Sequence, residues 1–152
     1  MSLAVAADAA FLVAFRDRSL PKSAWTHRAH VRVAWLHLRE APFGVALDRL
    51  RTGIIALNES HGVANTPDDG YHETVTVAFL RLIAAAMRSD PAPDPGAGES
   101  FSAFAARHPR LLDRSLLREH YSEPRLMSRE ARRRFLEPDL RPLPPISKPE
   151  PG

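Results

Sequence analysis

Apolar residues recur along this chain at helical spacing. Phe11, Leu12 and Phe15 share one stripe of a segment running from residue 5 to 17, and Pro21 closes the region. A second helix is predicted from His27 to Glu40, with Thr26 placed to cap it and Pro42 to stop it. A turn of about 100° per residue keeps His30, Val31, Ala34 and Leu38 within about 60° of His27 and puts Arg28, Arg32 and Arg39 well off that stripe. The histidines belong to the buried face. The third helix, residues 44 to 60, presents Leu47, Leu50, Ile54 and Leu57 to the core and ends at His61-Gly62. A polar connection closing with NTPDDG precedes a fourth helix over residues 71 to 88, capped by Asp68 or Asp69. There Thr76, Phe79 and Ile83 share the face of His72, with Arg81 and Arg88 opposite.

Beyond this point the pattern weakens. SDPAPDPGAGES, residues 89 to 100, is too poor in apolar residues to pack and reads as a flexible linker. Short helices are expected at 101 to 107, 110 to 120 and 129 to 136, the last capped by Ser128. Six prolines from Pro138 onward forbid a helix interior, so residues 138 to 152 read as an extended tail. No repeat or β-hairpin signal intervenes. The expected fold is all-α: a four-helix bundle or close relative with a short-helix C-terminal annex, forming one domain over residues 1 to 137.

Composition narrows the chemistry. With 152 residues, 44% of them apolar, the chain can bury one continuous core. It has no cysteine, which excludes disulfides, thiolate metal sites and thiol nucleophiles, so any metal must be held by nitrogen and oxygen. The N-terminal stretch lacks a basic start and carries Asp8 within its apolar run, against a signal peptide, and no apolar run approaches the ~20 residues of a membrane span. A cytoplasmic protein with no membrane contact is the expectation. The net charge of +3 is concentrated between residues 101 and 141, where acidic residues interleave with the arginines. That is the pattern of a solvated helical face, and nucleic acid is not expected as a partner.

Three blocks carry candidate chemistry. Short connections favour antiparallel neighbours, so the second and fourth helices should run parallel and bring their N-termini to the end where the third helix finishes. WTHRAH then contributes His27 and His30 at i,i+3, NESH contributes Glu59 and His61, and DDGYHET contributes Asp68, Asp69, Tyr71, His72 and Glu73. Two imidazoles one helical turn apart and a third from a parallel helix form a facial set of metal ligands, with Glu73 as fourth ligand or as general base beside a metal-bound water. Tyr71 and Tyr121 are candidates to donate to a bound oxyanion. Iron, manganese and zinc all suit such a histidine and carboxylate set. Against this stands a structural reading, in which the same histidines satisfy one another and the backbone inside the core. Both helix N-termini also present partial positive charge, which opposes a cation unless a carboxylate offsets it.

The segments LPKSAWTHRAHVRVA, LNESHGVANTPDDGYHETVT and HYSEPRLMSREARRRFLEPDLRPLP resemble a family of small, uncharacterised bacterial proteins marked by WTHxAH, GYHET and YSxxxLxSxxAR blocks. The resemblance covers most of the chain outside the first helix and the linker. It implies that His27, His30, His72 and Glu73 belong to one site. Two functions are therefore expected: a metal-dependent enzyme acting on a small-molecule substrate, or a non-enzymatic module whose histidine cluster and arginine-rich annex bind a small anionic ligand or a partner protein. A homo-oligomer is compatible with both.

Overall fold

The computed structural model describes residues 2–91 and 98–146. Residues 92–97 of the expected linker and 147–152 of the expected tail lie outside the described residues. The fold is all-α, a helical bundle with no strand among the described residues and one isolated bridge between Thr66 and Asp69. No helix in them is long and apolar enough to cross a membrane.

Four long helices come first: α1 (Leu3–Arg16), α2 (His27–Glu40), α3 (Phe43–Ser60) and α4 (Glu73–Ser89). Side-chain caps set three of their starts, Ser2 accepting from the Val5 amide at 3.1 Å, Thr26 from the Ala29 amide at 3.2 Å and His72 from the Val75 amide at 3.2 Å. Helix α2 lies at the centre, packed against α1, α3 and α4, with Val31, Val33 and Trp35 buried along it. Gly53 lets α1 and α3 approach closely, because a Cβ there would enter the Phe15 ring.

The annex begins with α5 (Phe101–Arg107), whose Phe104 stacks on Trp35 with ring centroids 5.6 Å apart. Its docking is fastened by Asp8, a buried α1 carboxylate that accepts from the Phe101 amide at 2.8 Å while paired with Arg32 of α2. The single helix expected over 110 to 120 is instead two 3₁₀ turns, Pro109–Leu112 and Arg114–Glu119. The Asp113 side chain separates them by accepting from the Ser115 amide and restarting the chain. A short α6 (Glu123–Leu126) follows that periodicity does not reveal, then α7 (Arg129–Arg133), capped as expected by Ser128. Helix α7 stops at Arg133, short of the expected 136. Buried Thr74 takes over the next backbone groups, its hydroxyl donating to the Arg134 carbonyl at 2.9 Å and accepting from the Leu136 amide at 3.1 Å.

Past Pro138 the described chain is non-helical and lies against α4. Leu143 is buried, and Arg81 and Arg88, expected to face solvent, donate to the carbonyls of Pro144, Pro145 and Ile146.

Candidate ligand-binding site

Helix α4 starts at Glu73, because the residue before it is its own cap. The His72 ring accepts from the Val75 amide through Nδ1 at 3.2 Å, and Nε2 lies 2.9 Å from the Leu126 carbonyl. A nitrogen that accepts carries no proton, so His72 is the neutral Nε2–H tautomer and donates to Leu126. Asp68 and Asp69, expected to cap this helix, do other work. Asp68 forms a two-armed ion pair with Arg129, and Asp69 accepts from the Gly70 amide in the turn where Gly70 adopts φ 83°.

His27, His30 and His72 line one cavity of about 750 Å³. It lies between the N-terminal turns of α2 and α4, is floored by Leu50 and Ile54 of α3, and is covered by the second 3₁₀ turn and α6. The annex is fastened across it by the histidines themselves. His27 Nε2 donates to the Leu111 carbonyl at 3.0 Å, as His72 does to Leu126. His30 Nδ1 donates to the Thr26 carbonyl at 2.8 Å, and its ring lies against Trp25 with centroids 3.8 Å apart. Nδ1 of His27 and Nε2 of His30 have no hydrogen-bond partner among the described residues. Each of these two cavity-lining residues therefore keeps one free imidazole lone pair.

All three rings are held neutral. Burial pushes their pKa values down from the ordinary 6.5, in His30 to about 4. The charge of Arg114 presses in the same direction on His27 and His30, and that of Arg132 on His72; Asp113 opposes it at His27. Arg114 and Arg118 line the cavity from the second 3₁₀ turn, are exposed, and have no ion-pair partner among the described residues. Among the described residues no acidic side chain lines it.

The carboxylate expected beside the histidines is elsewhere. Glu73 accepts from Arg51 Nε at 2.9 Å and Nη2 at 2.6 Å and from the Tyr71 hydroxyl, and none of the three lines the cavity. Burial alone would raise the Glu73 pKa, but the Arg51 and Tyr71 hydrogen bonds outweigh it and hold the group below the ordinary carboxylate value. Burial and the bond to Glu73 raise the Tyr71 pKa, so the phenol stays protonated. Tyr121 is a core residue, 1% exposed, with its hydroxyl donating to the Leu136 carbonyl at 2.7 Å. It does not line the cavity. His61 donates to the Leu20 carbonyl at 2.8 Å, and Glu59 is exposed. Among the described residues no group of three or more His, Asp or Glu side chains is arranged to hold a metal ion.

The three histidines that sequence reasoning grouped all line the cavity, though not as a metal-holding group among the described residues, and their neighbours were missed. Arg51 is 22 residues from Glu73 on another helix, a pairing no local spacing announces. Arg114 and Arg118 look, by periodicity, like part of a solvated face. No family model, no curated protein and no solved structure matches this chain.

Proposed function

We propose that this chain binds a small organic anion in the cavity between α2, α4 and the annex. One observation carries the reading: among the described residues, two arginines without an ion-pair partner and no acidic side chain line a cavity whose three imidazoles are held neutral by burial. A volume of about 750 Å³ suits a small molecule, and mostly apolar walls with a few polar groups at one end are what such sites use to orient a ligand. The anionic group pairs with Arg114 and Arg118, while His27 and His30 accept hydrogen bonds from the ligand. Titrating a panel of small organic acids while following the imidazole carbon-bound protons by NMR tests this. Shifts confined to His27 and His30, absent from His61 and His120 and lost in Arg114→Gln, are expected. A panel that moves none of them, or all alike, refutes it.

A second reading rests on a different observation. His27 and His30 each donate one ring N–H to a backbone carbonyl, the arrangement that orients imidazoles bound to metal. An iron, manganese or zinc ion would find two protein nitrogens there, with His72 committed on both of its own and Glu73 on Arg51, and the organic anion would supply further donors to a metal-dependent enzyme. Zinc titration of the wild type and His30→Gln separates the readings. Anion binding that survives chelation favours the first, and anion binding that requires zinc and His30 favours the second.

A further inference from the structure

We infer that the ligand is an amphipathic carboxylic acid carrying a hydroxyl or N–H close to its carboxylate, an inference that rests on the cavity being a ligand site. The cavity is lined by both polar and apolar groups. Its charged and polar groups, Arg114, Arg118, His27 and His30, come from the annex and the first turns of α2. Its apolar wall continues along α4 through Val75, Phe79 and Ile83. The Phe79 ring meets that of His27 with centroids 4.8 Å apart, and at 1.5 Å per residue Ile83 lies roughly 6 Å further along α4. A ligand that fills this space has a polar head at the annex and an apolar body reaching toward Ile83.

The head is defined by what its neighbours can do. Arginine only donates, so Arg114 and Arg118 call for an acceptor carrying negative charge. The neutral rings of His27 and His30, each with its N–H spent on a backbone carbonyl, offer only lone pairs to the cavity and call for a donor. A plain carboxylate satisfies the arginines and leaves the lone pairs unmet. A phosphate monoester, with a second pKa of about 6, is mostly dianionic at neutral pH and presents chiefly acceptor oxygens to those lone pairs. A carboxylate with a hydroxyl or N–H on a nearby carbon meets both requirements at once.

Calorimetry on the full chain at neutral pH, with β-hydroxydecanoate, decanoate, decanol and decyl phosphate, tests the assignment. β-Hydroxydecanoate is expected to bind most tightly, decanoate more weakly, and decanol and decyl phosphate more weakly still. Shortening the chain toward β-hydroxybutyrate should lose about fourfold in affinity per methylene withdrawn from the apolar wall. Arg114→Gln and Arg118→Gln, exposed changes that should leave the fold intact, are expected to weaken β-hydroxydecanoate about tenfold or more and leave decanol unaffected. Decanol or decyl phosphate binding as tightly as β-hydroxydecanoate overturns the carboxylate head, equal binding of decanoate overturns the donor, and affinity independent of chain length overturns the apolar body. If none of the four binds and the His27 and His30 signals stay still, the cavity reading itself has failed, and this inference with it.

Discussion

His30 shows how far one half-buried imidazole governs the response to acid. Its folded pKa, about 4, lies below the 6.5 of an exposed histidine, so the unfolded chain takes up a proton that the folded chain refuses. The contribution of His30 to stability is therefore fully present above about pH 6.5 and is lost as pH falls toward 4. At about 1.4 kcal/mol per pKa unit, His30 alone can remove about 3 kcal/mol. His27 and His72, lowered in the same direction, add to the loss. Urea melts at pH 7 and pH 4.5 should show this drop, and His30→Gln should shrink it; a pH-independent midpoint would contradict the burial of these rings. Glu73 poses a different test at the same scale. Its carboxylate serves Arg51 and Tyr71 outside the cavity, so Glu73→Gln should cost about 1–3 kcal/mol of stability, as expected for weakening a hydrogen-bonded ion pair, without changing anion affinity. An altered affinity in a well-folded variant would return Glu73 to the site.

Helix α4 and its cap illustrate what was legible at the level of elements. The start and stop of α2 followed from Thr26 and Pro42, and the start of α5 from the linker before it, because local chemistry decided both. Helix α4 begins later than periodicity suggests, since an imidazole took the role that Asp68 and Asp69 seemed to hold. Tertiary contacts decided the annex: Asp113 divides one expected helix into two 3₁₀ turns, and Thr74, 62 residues from Leu136, claims the amide just past α7. His27 and His30 could be placed because Thr26 made the start of α2 readable, whereas His72 was placed only to within two residues of the start of α4, its own role as the cap having been missed. Arg51 and Arg114 could not be placed, because only the packed fold brings them to their neighbours. The cap itself is open to test by thermal or chemical unfolding. His72→Ala removes both the acceptor for Val75 and the donor for Leu126 and should cost about 1–3 kcal/mol. His72→Asn can restore the cap without reaching α6, so it should recover part of the loss; no recovery would assign the whole effect to the α6 contact.

Across the whole molecule, the contacts that close the cavity join distant parts of the chain. His27 meets the Leu111 carbonyl across 84 residues, His72 meets Leu126 across 54, and Asp8 meets the Phe101 amide across 93. Asp8 is the most exacting of these, since it is buried, charged and shared by α1, α2 and α5. Asp8→Ala leaves Arg32 and the Phe101 amide without their acceptor and should destabilise by about 3 kcal/mol, measurable as a lowered urea midpoint with an unchanged slope. The Asp8 contact also has a consequence for how the protein is made. At about 5–20 residues per second, roughly 5–20 s of synthesis separate Asp8 from its partner at Phe101, and the annex that covers the histidines emerges later still. Over that interval the nascent helices hold an uncovered apolar face and a carboxylate answered only by Arg32, a state suited to chaperone capture. Ribosome-bound chains stalled so that Ser100 has not left the exit tunnel should be cleaved readily by protease within α1, and chains long enough to expose residue 146 should resist.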